Sequence, residues 1–190
     1  MKDVTSSTGL LHKHEENDFY EFDREPLSPH MLSTEGPARV VADFNHDGLD
    51  DGFIGSSKWK KSVIFLQDNK GKFSKVSEPD LDRDSTYEDV DACVADVNGD
   101  GHPDLVVASG GNEFFGNDEL LTPRVYLSDG RGNFSKEANP FKDLFVNASC
   151  VQACDFNKDG YPDLFIGGRS VPSAYGQIPQ SYLLQNDGRG

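Results

Sequence analysis

The chain has 190 residues, 35% of them hydrophobic and 11% aromatic, enough for a packed core in one or two ordinary domains. A formal net charge of −15 and a pI near 4.5 exclude a basic face for nucleic-acid phosphates or for anionic membranes. No run of eighteen apolar residues is present, so no membrane-spanning helix is expected, and the start Met1-Lys2-Asp3-Val4-Thr5-Ser6-Ser7 has no apolar signal core.

Residues 1–37 form a polar, proline-punctuated leader, predicted to be extended, with room for one strand before it crosses the surface. His12 and His14 are two apart and would share one face of a strand, which makes a transition-metal site conceivable. No other His or Cys cluster supports one, and solvated histidines are the simpler reading.

Three units follow, at 38–86, 87–147 and 148–190. In the first, Ala38-Arg39-Val40-Val41-Ala42 reads as a strand, followed by the loop Asp43-Phe44-Asn45-His46-Asp47-Gly48-Leu49-Asp50-Asp51. Phe53-Ile54-Gly55 leaves the loop as a second strand. Lys58-Trp59-Lys60-Lys61 connects it to a third, Val63-Ile64-Phe65-Leu66. Asp68-Asn69-Lys70-Gly71 is a hairpin turn into a fourth, Phe73 to Val76. The second unit repeats this order with strands at 92–95 and 105–108, an insertion from Gly110 to Glu119, a strand at 124–127, and a turn at 129–134 into a fourth strand. The third has strands at 151–154, 164–169 and 181–184, with an insertion from Ser170 to Gln180. It stops inside the hairpin turn Asn186-Asp187-Gly188-Arg189-Gly190, which reads as a truncated unit.

The loop motif recurs as Asp96-Val97-Asn98-Gly99-Asp100-Gly101-His102-Pro103-Asp104 and Asp155-Phe156-Asn157-Lys158-Asp159-Gly160-Tyr161-Pro162-Asp163. Oxygen-bearing side chains stand at positions 1, 3, 5 and 9, with glycine at 6. Calcium takes six to eight oxygens at roughly 2.3–2.6 Å, and alternate inward residues with a glycine for the sharp turn suit it. Position 7 varies freely, as a backbone-carbonyl ligand would allow. Asp and Asn also dominate ordinary turns, but three copies with the same four oxygen positions favour a metal loop over plain Asx turns. Position 12 is Ile54, Val107 or Ile166 instead of the bidentate Glu of an EF-hand, and the flanking runs read as strands. Zinc is disfavoured, since no His or Cys side chain recurs at a ligand position.

Cys93, Cys150 and Cys154 are odd in number. Four residues apart on one strand, Cys150 and Cys154 would stand roughly 13 Å apart, too far for a disulfide. All three read as small buried hydrophobes. The first loop aspartates, Asp43, Asp96 and Asp155, are 53 and then 59 residues apart. Four short strands at such a period describe a propeller blade, which buries its faces by stacking on its neighbours. The predicted fold is all-β, a partial β-propeller of about three four-stranded blades. A curved wedge with two exposed blade faces is expected.

The motif Val-Ala-Asp-Val-Asn-Gly-Asp-Gly-His-Pro-Asp-Leu-Val-Val at 94–107, its two relatives, and Tyr126-Leu127-Ser128-Asp129-Gly130-Arg131-Gly132-Asn133-Phe134 resemble FG-GAP/VCBS repeats, the calcium-binding blades of integrin-type propellers. Pro26 to Ser33 with Glu35-Gly36-Pro37, and Gly167 to Pro172, resemble bacterial VCBS-repeat surface proteins of the ASPIC/UnbV and cartilage-acidic-protein group. This resemblance implies a seven-bladed or similar parent propeller, further blades as packing partners, and an extracellular or outer-membrane setting. It implies up to three structural Ca2+ ions. The ligands would be Asp43, Asn45, Asp47, Leu49 (carbonyl) and Asp51; Asp96, Asn98, Asp100, His102 (carbonyl) and Asp104; and Asp155, Asn157, Asp159, Tyr161 (carbonyl) and Asp163. The first loop departs from the others with Asp50 in place of proline and Gly52 in place of leucine.

The function expected is a non-enzymatic calcium-binding scaffold at a bacterial surface. A protein or glycan ligand would sit on a propeller face built from Gly110–Glu119 and Ser170–Gln180. The alternative is a propeller-type polysaccharide lyase or hydrolase with structural calcium. Against it, the identifiable carboxylates belong to the loops, and Glu113, Asp118 and Glu119 show no pairing signal.

Overall fold

A computed structural model describes residues 1–188; the turn residues Arg189 and Gly190 lie outside the described residues. Three antiparallel sheets follow one another along the chain. The first contains β1 (Arg39–Ala42), β2 (Asp51–Ile54), β3 (Val63–Gln67) and β4 (Phe73–Val76) in that order. The second contains β5 (Asp89–Ala95), β6 (Asp104–Ser109), β7 (Arg124–Ser128) and β8 (Phe134–Lys136). The third contains β9 (Ala148–Cys154), β10 (Asp163–Gly168) and β11 (Tyr182–Leu184). This is a partial β-propeller, with β1 packed on β5 and β5 on β9.

Side-chain alternation in β6 builds the two cores. Leu105 and Val107 join Phe44, Phe53, Ile64, Tyr126 and Phe134 between the first and second blades. Val106 and Ala108 join Val125, Val146, Val151, Leu164 and Ile166 between the second and third. All six residues of β6 are buried, because both faces of this strand meet a neighbouring sheet. Each fully buried Leu or Val contributes about 1.5–3 kcal/mol of transfer free energy. The end blades differ: Val41 in β1 is 66% exposed and Phe165 in β10 is 40% exposed.

A short helix, α2 (Pro79–Arg83), links the first two blades. Proline in its first turn, Asp80 and Asp82 beside it, and Arg83 in its last turn match the macrodipole. A buried ionic knot joins the same blades. Asp89 receives Ser56 N–H at 3.0 Å from the first blade and pairs with the Arg124 guanidinium of the second. Arg124 also stacks 4.1 Å over the Tyr87 ring and donates to Tyr126 Oη at 3.1 Å.

The leader adds no strand, contrary to expectation. It holds one helical turn, α1 (Thr5–Thr8), and a 3-10 turn at Glu21–Asp23. Polar groups anchor it: Glu21 Oε2 accepts the N–H groups of Leu32 at 2.6 Å and Ser33 at 3.0 Å. Arg24 donates to the carbonyls of Asn112 and Glu113 in the second blade, and Arg169 of the third blade pairs with Glu35. The first blade's outer face is therefore not bare. Phe65 points away from the second blade yet is only 2% exposed, with the His12 ring edge-on to it. His14 instead bonds Glu16 at 2.6 Å, so the two histidines have separate partners.

The cysteines are free. Cys93 is buried, and burial first, then the charge of Asp91, pushes its thiol up to about 12. Cys150 is half-buried and Cys154 exposed, so the reading of three buried hydrophobes holds only for Cys93.

Candidate metal centre

Each nine-residue loop joins the first strand of its sheet to the second. The three loops share one hydrogen-bond skeleton. The amide of position 5 donates to side-chain oxygens at positions 1 and 3. Asp47 N–H reaches Asp43 and Asn45 at 3.1 Å each. Asp100 N–H reaches Asp96 at 3.0 Å and Asn98 at 2.9 Å, and Asp159 N–H reaches Asp155 at 3.1 Å and Asn157 at 3.0 Å. The glycine amide at position 6 takes the other oxygen of position 1, at 2.8, 2.8 and 3.0 Å. The amide of position 7, carried by Leu49, His102 or Tyr161, donates to position 5 at 2.9 Å in every copy. The carboxylates are thus drawn inward over the turn. Gly48, Gly101 and Gly160 have φ of 84°, 87° and 95°, the left-handed region that a Cβ penalises.

Position 9 stands apart from this turn. Asp51, Asp104 and Asp163 open the second strands and are buried at 1%, 0% and 0% exposure. One oxygen of each accepts the N–H of position 2: Phe44 at 3.0 Å, Val97 at 3.0 Å and Phe156 at 3.1 Å. The other accepts an N–H at or just past the end of the third strand: Gln67, Ser128 and Asn186, each at 2.8 Å. This aspartate ties the loop to the sheet. Burial raises the Asp104 carboxyl above the usual range against the pull of these two amides, and Asp51 likewise. Asp100 and Asp159 are held low instead, chiefly by the amides of His102 and Tyr161.

Among the described residues no three His, Cys, Asp or Glu side chains gather into one metal-binding group. The reason is visible in the skeleton: of the three carboxylates per loop, two lie on the turn and the third is turned toward the strand. The donors are all hard oxygens, and each position-9 oxygen has one amide partner, leaving it a second lone pair. That donor chemistry fits calcium and does not fit zinc.

A model of the FG-GAP-like repeat matches the chain twice, over residues 43–107 and 96–166. The chain belongs to the FG-GAP-like repeat family. Each match begins at the first aspartate of a nine-residue loop and carries through a blade to the second strand of the next. The chain is 37% identical over 91 residues to phosphatidylinositol-glycan-specific phospholipase D of Rattus norvegicus, 42% of this chain and 11% of that protein. It is 35% identical over 79 residues to integrin alpha-7 of Homo sapiens, 39% of this chain and 6% of that protein. The chain thus spans a small fraction of the curated relatives it matches. Among the described residues no helix is long and apolar enough to cross a membrane.

Two features of the repeat escape a reading by composition. Position 4 is left-handed in every loop, at His46 (φ 57°), Gly99 (φ 76°) and Lys158 (φ 64°), and only the second copy signals it with glycine. The structural bond of position 9 could have been suspected from its place at the first residue of an apolar strand, where an unpaired carboxylate would be costly.

The insertions differ from expectation. Gly110, Gly111 and Asn112 are buried, Asn112 bonding Glu21 and Glu25 of the leader. The loops joining second to third strands carry exposed apolar side chains in three successive blades: Trp59, Phe115, and Tyr175 with Ile178.

Proposed function

We propose that this chain is a calcium-stabilised, non-enzymatic propeller scaffold that offers a protein- or glycan-binding face at a bacterial cell surface. The observation that carries the calcium reading is the threefold loop skeleton, with the same amides orienting the same oxygens in each copy. Asp43, Asn45, Asp47 and the Leu49 carbonyl would hold one ion, with their counterparts in the other two loops, and the position-9 aspartates could contribute their free lone pairs. An ion present at ten times its dissociation constant adds about 1.4 kcal/mol, so three would add roughly 4 kcal/mol. The ions would also relieve repulsion among loop carboxylates in a chain of net charge −15.

The ligand face is assigned to the exposed Trp59, Phe115 and Tyr175, because aromatic rings with polar neighbours suit both sugar stacking and protein contact. Two of the acids outside the loops, Glu113 and Asp118, have structural partners, which supports a non-enzymatic role. Glu113 pairs with Lys58 at 2.7 Å, and Asp118 caps Leu120 N–H at 3.0 Å.

The test is thermal unfolding in millimolar calcium against chelator, with magnesium as control. A calcium-specific rise in midpoint, reduced in an Asp100→Ala, Asp159→Ala double variant, is expected. Equal midpoints in calcium and chelator would overturn the calcium reading. Product release from acidic polysaccharides would overturn the non-enzymatic one.

A further inference from the structure

The first and second loops touch through two imidazoles. His46 stands at position 4 of the first loop and His102 at position 7 of the second, so they belong to neighbouring blades. Nδ1 of His102 lies 2.9 Å from Nε2 of His46. The ring centroids are 4.8 Å apart and the planes cross at 67°. Two imidazole nitrogens on one metal at 2.0–2.1 Å are separated by about 2.9 Å when they subtend a right angle, and by about 3.3 Å at the tetrahedral angle. The observed separation is that of adjacent positions in a square-planar or octahedral shell.

We propose that His46 and His102 form a bidentate site for a divalent transition metal of that geometry, copper or nickel, which bridges the first and second blades. Both ligands are preorganised. His46 is held at φ 57°, in the left-handed conformation shared by position 4 of all three loops. The His102 ring rests on Gly130, where a Cβ would collide with it. His46 is exposed and His102 half-buried, which leaves the remaining coordination positions to water. The surroundings are acidic: Asp47 follows His46, and Asp100 accepts the His102 N–H at 2.9 Å. Calcium, a hard ion, takes the oxygens of the loops, while imidazole suits copper and nickel, so the two metals address different atoms. On binding, the imidazole that donates between the rings changes tautomer, its proton moving by way of water to its outer ring nitrogen, and both inner lone pairs turn to the metal.

The experiment is a Cu2+ titration of the intact chain by calorimetry in excess calcium, with the nitrogen hyperfine pattern read by electron paramagnetic resonance. One site with two nitrogen ligands is expected. His46→Asn, which keeps a residue tolerant of positive φ, and His102→Gln should each weaken it by at least the roughly 10–100-fold that loss of even a supporting partner costs. A His12→Ala, His14→Ala control should bind as the parent does, and Cu2+ should raise the unfolding midpoint of the parent only where both loop histidines remain. Absence of copper binding, binding unchanged in both loop variants, or binding lost in the leader control would each overturn the proposal. Circular dichroism of the variants in calcium verifies that they are folded.

Discussion

Asp104 is the side chain through which the second loop is fastened to its blade, and its removal gives a calculable loss. Its Oδ2 accepts Val97 N–H at 3.0 Å and its Oδ1 accepts Ser128 N–H at 2.8 Å, with Asp104 itself at 0% exposure. Val97 and Ser128 are 9% and 5% exposed, so water cannot readily replace the lost acceptors. An unsatisfied buried donor costs about 1–3 kcal/mol. Asp104→Ala should therefore destabilise by roughly 2–6 kcal/mol, before any contribution from a metal. Asp104→Asn keeps one acceptor and turns its NH2 toward the other amide, so about half that loss is expected. Urea denaturation would read it: with a slope of about 2 kcal/mol/M, a 4 kcal/mol loss moves the midpoint by about 2 M. The decisive comparison is between calcium and chelator. If the aspartate acts through the two amides, most of the loss persists in chelator. A loss confined to calcium, or below about 0.5 kcal/mol in both conditions, would refute the reasoning and make position 9 a metal ligand alone or a bystander.

Two further perturbations test the interblade polar groups. Burial, opposed by the Lys58 amide and assisted by the charges of Glu16 and Glu113, pushes Glu88 up to about 8. A carboxyl raised in the folded state contributes stability that is complete below its unfolded value near 4.5 and is lost as pH rises toward 8, so wild type should weaken relative to Glu88→Gln across that window by a few kcal/mol. Urea midpoints of the pair from pH 5 to 8 check this, and a constant difference would contradict it. Arg124→Ala leaves Asp89 as an unpaired charge, with both side chains only 3% exposed, and should cost about 3–5 kcal/mol in the same assay, where a loss under 1 kcal/mol would show the knot to be dispensable.

Much of the architecture was legible because each loop motif abuts an apolar run on the exit side. Asp104 to Ser109 and Asp163 to Gly168 lie where period and turn chemistry place strands. The inward turn of Asp, Asn and Asp over a left-handed glycine was likewise readable from spacing. The leader was not, because it is fixed by carboxylate-to-amide bonds such as Glu21 to Leu32 and Ser33, which leave no hydrophobic period. The dual character of Asp104 was hidden for another reason. A ligand oxygen and an amide acceptor are the same atom, and only the fold shows that Ser128 N–H, 24 residues away in sequence, arrives at it. The helix Pro79–Arg83 was not anticipated, although proline and acids in its first turn and an arginine in its last are helix cues.

The division of β6 between two cores constrains how the chain can change. Leu105 and Val107 serve one interface, while Val106 and Ala108 serve the other. Substitution within each pair is limited only by volume and shape. A single-residue insertion or deletion would move every side chain to the opposite interface at once, placing each beside partners it never evolved to meet. The identity of this strand can therefore drift while its length cannot, and lineages descended from this chain should tolerate gaps in the loops between second and third strands and none within β6.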